Sequence, residues 1–402
     1  MSGQSAPGCV RVSGPLAKFA DGFRVDLLER GYSRSGAHGQ LYLLAHVSRW
    51  MEAEGLEPAS LTAARLERYF AWRRGQGFRK CHSPLSLRTV LGYLDGLGVL
   101  PPDDVVASPV DRLVEEFRDY LLLERGAKAS TAGKYEPTAR IFLSERSAPL
   151  EDGLARVSGA EVRRFVLRES RRRSTCSTEM VVCALRALLR FLHARGLIVE
   201  PLVEAVPSVA RRREDLPRGL GAGQVKALLD SCDRSTPTGR RDYAILVLLA
   251  RLGLRCSEVA TLQLDDIDWR ASELVIRGKG SRLDRLPLTA DVGEALADYL
   301  RHGRPRGFGR ILFLTACAPI TGITRRTINH AMRYACQRAG ITPVGTHRLR
   351  HTVACELLRH GAGLVEIGQV LRHQNLATTA IYAKVDRQAL SRLALPWPGS
   401  ER

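Results

Sequence analysis

A duplication constrains this chain more than any other feature. Leu27-Leu28-Glu29-Arg30-Gly31 recurs as Leu122-Leu123-Glu124-Arg125-Gly126. The pattern of apolar and charged residues over 61–70 (LTAARLERYF) repeats over 157–166 (VSGAEVRRFV), and that of 87–94 (LRTVLGYL) over 185–192 (LRALLRFL). The offsets are 95, 96 and 98, in one order. Any one match could arise by chance, but three collinear ones point to a repeated module of about 80 to 90 residues. Within each copy the apolar residues recur at helical spacing and Gly and Pro punctuate the loops, so each copy is expected to be a four-helix unit. Thr62 and Ser158 stand where an N-cap would start the helix that carries Leu66, Tyr69 and Phe70 in one copy and Val162, Phe165 and Val166 in the other.

The repeat sets the expected domain organisation. Residues 1–18, rich in Gly, Ser and Pro, are read as a disordered lead-in, and 19–100 as the first helical module. Pro101, Pro102 and Pro109 separate it from the second module at 110–200, and Pro201, Pro207 and Pro217 bracket Arg211-Arg212-Arg213 in a basic linker over 201–217. The texture then changes, and 218–390 is expected to be a third domain, followed by a tail over 391–402. A segment apolar nearly all round, 242–252, predicts a buried helix ended by Gly253. Residues 273–277 and 283–288 flank Gly278-Lys279-Gly280-Ser281 and predict a β-hairpin. Thr324 can cap a helix bearing Ile328, Met332 and Cys336 that Gly340 closes. The expected fold class is mainly α: duplicated helical modules followed by a mixed α+β domain with a small hairpin or sheet.

Charge narrows the partner. Lys and Arg number 61 against 42 Asp and Glu, a net charge of +19, which points to a polyanion, with nucleic acid ahead of a membrane surface. The same loop is basic in both copies: Arg73, Arg74, Arg79 and Lys80 in the first, Arg168, Arg171, Arg172 and Arg173 in the second. A run of charge can simply be a solvated face, but its repetition in a strongly basic chain favours contact with a DNA backbone. The nine cysteines form no C-x-x-C pair and suit a reducing compartment. No basic flank and apolar core marks a signal peptide, and the longest apolar run, 243–250, is far too short to span a membrane. A soluble cytoplasmic protein is expected.

The third domain collects groups suited to one chemistry. Arg255 follows directly on the terminator of a buried helix, where a cation is costly without an anionic partner, and Glu258 stands three residues on. Downstream come His347, Arg350 and His351, then His373, then Tyr382. His347 and His351 are four apart on one helix and could be proposed as metal ligands, but no third ligand is apparent and Arg350 lies between them. No metal or cofactor is expected.

The ordered set Arg255-x-x-Glu258, Gly278-Lys279-Gly280, His347-x-x-Arg350-His351-Thr352, His373 and Tyr382 resembles the catalytic signature of the tyrosine recombinases, or phage integrases. The resemblance is close over about residues 216 to 390, and the helical modules look like that family's core-binding domain with an additional copy in front. It implies an enzyme that cuts and rejoins DNA through a 3′-phosphotyrosyl intermediate on Tyr382. Arg255 and Arg350 would hold the non-bridging oxygens with planar, permanently charged forks. Lys279 would protonate the leaving 5′-oxygen, and His347 would act as general base or phosphate ligand. His373 would bond the phosphate, Glu258 would support the arginine geometry, and His351 would stand behind Arg350. The family implies double-stranded DNA as substrate, a homotetramer on paired sites, possible accessory proteins, and no cofactor, since bond energy is conserved in the phosphotyrosine. An element-encoded integrase or transposase is the leading expectation. The alternatives are a recombinase resolving chromosome or plasmid dimers, a relaxing enzyme resembling type IB topoisomerases, and an inactive DNA-binding protein. One residue departs from the family: Arg372 replaces the usual Gly before the second histidine, where the helix ends in a left-handed conformation. That costs a non-Gly residue about 1 kcal/mol, which a phosphate contact would offset.

Overall fold

The computed structural model describes residues 10–79, 81, 83–101, 108–146, 149–209, 219–278, 283–372 and 379. Four of the expected functional residues, Lys80, Lys279, His373 and Tyr382, lie outside these, as do the arginines of the expected linker and the C-terminal tail. The chain divides into two compact units, Met1–Pro101 together with Asp215–Arg402, and Pro102–Glu214.

The first helical module holds α1 (Ala20–Glu29), α2 (Arg34–Ala53), α3 (Ala63–Gly75) and α4 (Pro84–Gly96). Thr62 caps α3 as expected, its hydroxyl accepting from the Arg65 amide at 3.4 Å. Phe23, Leu27, Leu44, Tyr69, Phe70, Leu87 and Leu94 fill the core. The second module has α5 (Pro109–Asp119), α6 (Ala129–Ser144), α7 (Leu150–Ala155), α8 (Gly159–Arg172) and α9 (Thr175–Ala194). Among the described residues it therefore carries five α-helices where four helices were expected, α7 being a short helix ahead of α8. Ser158 and Glu161 close a capping box at the start of α8, which satisfies two amides that would otherwise have no partner. The repeat is visible in the cores, where the pairs Leu87 and Leu185, Val90 and Leu188, and Leu94 and Leu192 are all buried.

The remaining part of the first unit is built on α10 (Ala222–Asp230), α11 (Pro237–Arg251) and α12 (Cys256–Thr261). These lead to a three-stranded antiparallel sheet of β1 (Ile267–Asp268), β2 (Glu273–Arg277) and β3 (Leu283–Pro287) in the order β1-β2-β3. The hairpin register pairs Leu274 with Leu286 and Val275 with Arg285. After it come α13 (Ala290–His302), α14 (Arg325–Arg338), α15 (His347–Arg359) and α16 (Leu364–Val370). Helix α11 is buried along its length from Ala244 to Ala250 and packs against α13, α14 and α15, as its unbroken apolar sequence requires. This central helix fixes where the ends of its neighbours lie. No helix among the described residues is long and apolar enough to cross a membrane.

Candidate active site

The site forms where α11 stops. Gly253 adopts a positive φ of 57°, turning the chain sharply, and a Cβ there would meet Leu371 Cδ2 at 2.9 Å. Only glycine lets the end of α16 approach so closely. Arg350, on the first turn of α15 and 5% exposed, bridges the two ends: its Nη1 donates to the Gly253 carbonyl and its Nη2 to the Leu371 carbonyl. Both carbonyls lie at helix C-termini, where backbone dipoles favour a cation. The guanidinium is thereby held in one orientation.

Arg255 is the N-cap residue of α12. Glu258, three residues on and 5% exposed, reaches back to accept the Arg255 amide on Oε2 at 2.8 Å and Arg255 Nη1 on Oε1 at 2.7 Å. The carboxylate has a second cation: Arg372 Nη2 donates to Oε2 at 2.9 Å, with the Arg372 side chain only 6% exposed. Arg255 Nη2 completes the circuit by donating to the Arg372 carbonyl at 3.3 Å. Burial pushes the Glu258 carboxyl up, but the charge of Arg372, the Arg255 amide and the Arg255 guanidinium outweigh it, and the group is held below the ordinary carboxylate range.

Arg372 has φ 55°, the left-handed conformation that the family's glycine at this position implied. The offsetting contact is different from the one the sequence suggested. Its side chain is turned inward to Glu258 and does not reach out toward a phosphate, so a buried ion pair holds a residue where glycine would be unstrained.

His347 opens α15 with its neighbour Thr346 as N-cap. Thr346 Oγ1 lies 2.9 Å from Cys256 Sγ and donates to Asn329 Oδ1 at 3.2 Å, tying the start of α15 to α12 and α14. Thr352 Oγ1 accepts from the Leu220 amide at 2.7 Å, anchoring the same helix to the segment before α10. Burial lowers the His347 pKa, and the charges of Arg350, Arg255 and Arg325 lower it further. The imidazole is therefore neutral at pH 7 and able to accept a proton. His351, one turn along the helix from His347 and next to Arg350, is likewise lowered, by burial and then by His347, Arg348 and Arg350.

Five of the expected residues, Arg255, Glu258, His347, Arg350 and His351, thus meet at the junction of α11, α12, α15 and α16. Arg325, absent from the sequence reading, adds its charge at both His347 and Cys256. It begins α14 immediately after the N-cap Thr324, and that position beside a cap was the available signal. Among the described residues no cluster of His, Cys, Asp and Glu could hold a metal ion.

The basic loops of the modules are less uniform than their sequences. In the first, Arg73 is 4% exposed, donates to the Tyr69 hydroxyl at 3.1 Å and lies 4.4 Å over the Phe78 ring, which makes it part of the core. Arg79 is exposed. In the second, buried Glu169 pairs with Arg173 at 2.8 Å and with Arg168 at 3.8 Å, and Arg168 also pairs with Glu145. With Ile141 and Arg172 they line an open groove of about 590 Å³. Arg171 and Arg172 are exposed.

Comparison with known proteins follows the same outline. Residues 219–389 match the profile of the Phage integrase family. The putative integrase/recombinase y4rA of Sinorhizobium fredii is 41% identical over 393 residues, covering 96% of this chain and 95% of that protein. Tyrosine recombinase XerD of Mycobacterium tuberculosis is 32% identical over 307 residues, covering 71% of this chain and 96% of its own length. Among solved structures, the XerH site-specific recombinase bound to palindromic difH substrate in a post-cleavage complex superposes with a TM-score of 0.56. It is 16% identical and covers 82% of this chain and 93% of that one. The Tn1549 transposon integrase in complex with a circular intermediate DNA gives 0.53 at 18% identity, covering 70% and 99%. At these identities the structural likeness is one of fold.

Proposed function

This chain belongs to the phage integrase family, the tyrosine recombinases, which cut and rejoin DNA strands, and we propose that it does so as the integrase or transposase of a mobile element. The observation that carries the reading is the convergence of Arg255, Arg350 and His347, where the two arginines help depress the imidazole pKa. Attack on a phosphodiester builds charge on the non-bridging oxygens, and cations fixed before the reaction are the main catalytic requirement. In the proposed step the Tyr382 oxygen bonds to phosphorus as the bond to the 5′-oxygen breaks. The phenol, with an ordinary pKa near 10, gives its proton to His347, and the leaving 5′-oxygen takes one from Lys279. His373 bonds the phosphate. A second 5′-hydroxyl then reverses the step on another strand, without ATP or metal.

The proposed working form is a homotetramer on paired double-stranded DNA sites in the cytoplasm, with residues 388–397 docking on a neighbouring subunit. The first module would read a second DNA site or an accessory protein, while Arg79, Lys80, Arg171 and Arg172 contact backbone phosphates. Glu258 and His351 support the arginines.

The test uses a duplex selected from random sequence by binding to the Tyr382→Phe chain, then nicked near its centre to trap the covalent product. Wild type should form a protein–DNA adduct and Tyr382→Phe none. DNA binding without an adduct in wild type would sink the enzyme reading, and an adduct in Tyr382→Phe would displace the nucleophile. A second reading, resolution of chromosome or plasmid dimers, uses the same residues and the same chemistry. Recombination sites flanking the gene itself support the element-encoded role; a single site in a chromosome supports the other.

A further inference from the structure

We propose that Arg372 is a positioning residue for strand cleavage: it shares the Glu258 carboxylate with Arg255 and so fixes the Arg255 guanidinium while leaving the site more positive. This rests on the recombinase reading above and concerns a residue at which this chain departs from the family pattern.

Three observations bear on it. Arg372 holds φ 55° although it has a side chain, which is strained wherever glycine is the easy alternative. That side chain is buried on the same carboxylate oxygen that accepts the Arg255 amide, so Arg372 and Arg255 are coupled through one group. The Arg372 carbonyl also accepts from Arg255 Nη2, giving Arg255 a contact on each of its two terminal nitrogens. Glycine at this position could supply the carbonyl but not the charge.

Charge counting gives the consequence. One carboxylate facing Arg255 alone makes a neutral pair whose field at a nearby phosphate largely cancels. With Arg372 on the other oxygen the three groups carry a net charge of +1, and the more exposed of the two cations is Arg255, at 35% against 6%. Arg372 thus takes up part of the carboxylate from the buried side and leaves Arg255 to face the substrate. Its own guanidinium does not touch the DNA in this scheme, and it acts through Glu258 and Arg255.

The experiment compares Arg372→Gly, Arg372→Lys and Glu258→Gln, alone and combined, on the selected nicked duplex. It measures DNA affinity and the single-turnover rate of adduct formation separately. Glycine suits the positive φ, so Arg372→Gly should fold and lose at most a few-fold in DNA affinity, while the bound complex forms adduct roughly tenfold more slowly, within the usual range for directly coupled groups. Arg372→Lys should recover most of the rate, and Arg372→Gly should add little further loss to Glu258→Gln. The proposal is overturned if Arg372→Gly cleaves at the wild-type rate, if Lys fails to rescue, or if the two losses multiply. It is overturned equally if the Gly variant loses DNA binding in step with cleavage, which would make the role one of folding. Absence of an adduct in wild type would instead remove the recombinase reading itself.

Discussion

Two buried glutamates in this molecule each hold a pair of arginines, and they differ in what surrounds the cations. Glu258, between Arg255 and Arg372, has one partner at 6% side-chain exposure and lies in a junction where Arg350 is buried on two helix-end carbonyls. Glu169, between Arg168 and Arg173, has partners at 39% and 37% exposure along an open groove. The same local chemistry therefore yields two devices. In the first, Arg372 and Arg350 are removed from water and Arg255, though 35% exposed, is held at both terminal nitrogens, which suits a reaction whose rate depends on a preset field. In the second, long side chains remain hydrated and screened by salt, which suits contacts that must adjust to a DNA backbone.

Truncating an arginine should separate the two most sharply. Arg350→Ala is expected to reduce the rate of adduct formation by at least about 10²-fold, the usual loss when one preorganised donor to a developing anion is removed. It also leaves the Gly253 and Leu371 carbonyls without their donor, so a loss of about 1–3 kcal/mol in stability should accompany it. Arg173→Ala should leave the adduct rate of DNA-bound protein unchanged. Equal losses in the two variants would break the distinction.

Removing the carboxylates tests burial directly. Glu258→Ala leaves Arg372 buried without its partner in a strained conformation, and the cost should be about 3 kcal/mol, read as a fall in thermal midpoint. Glu169→Ala, whose partners are solvated, should cost about 1 kcal/mol or less.

Acid should act on the candidate active site in two stages. The folded pKa of His347 is depressed from 6.5, so the unfolded chain binds more protons just below that value. The stability from keeping this imidazole neutral is therefore complete above pH 6.5 and declines as pH falls from there toward the lowered folded value. Glu258 is depressed from 4.5, so its contribution holds above 4.5 and is lost only as pH falls through its lower folded value. The cleavage rate should accordingly persist below pH 6.5 before its acid limb begins, and the limb should vanish from whatever activity His347→Ala retains. A limb centred above 6.5 would contradict the geometry around His347.

What was legible in the sequence follows from range. Helix caps such as Thr62, Ser158 and Thr324 depend on contacts three residues away and could be read directly. The central helix declared itself through an apolar sequence on all sides. Strand β1 could not be read, because two residues are too few to show alternation. The site's residue types, and the left-handed turn at Arg372, were legible through the order of the residues and their likeness to a family. The direction of the Arg372 side chain was not: it depends on Glu258, 114 residues away, and nothing local distinguishes an inward arginine from an outward one. Arg73 shows the same limit, since a basic run gives no sign that one member is buried against Tyr69 and Phe78.

The smallest effect sharpens the comparison most, because the same substitution should act on affinity at one glutamate and on cleavage at the other. Glu169→Gln removes an anion from the basic groove of the second module and loosens Arg168 and Arg173, so DNA affinity should rise by a few-fold at low salt. The slope of log K against log salt should steepen by up to about 0.9 for each arginine that then reaches a phosphate. Arg171→Ala and Arg172→Ala, at exposed positions beside it, should each reduce that slope by about the same amount and weaken binding to all sequences alike. At the candidate active site the corresponding change, Glu258→Gln, also adds positive charge, yet it should slow cleavage, because in the proposed mechanism the carboxylate orients the cations that hold the phosphate. If both substitutions raise affinity and neither slows adduct formation, Glu258 serves electrostatics alone and the two sites are one device. If cleavage falls only with Glu258→Gln while affinity rises only with Glu169→Gln, orientation dominates where a buried cation fixes the carboxylate and net charge where both cations are exposed.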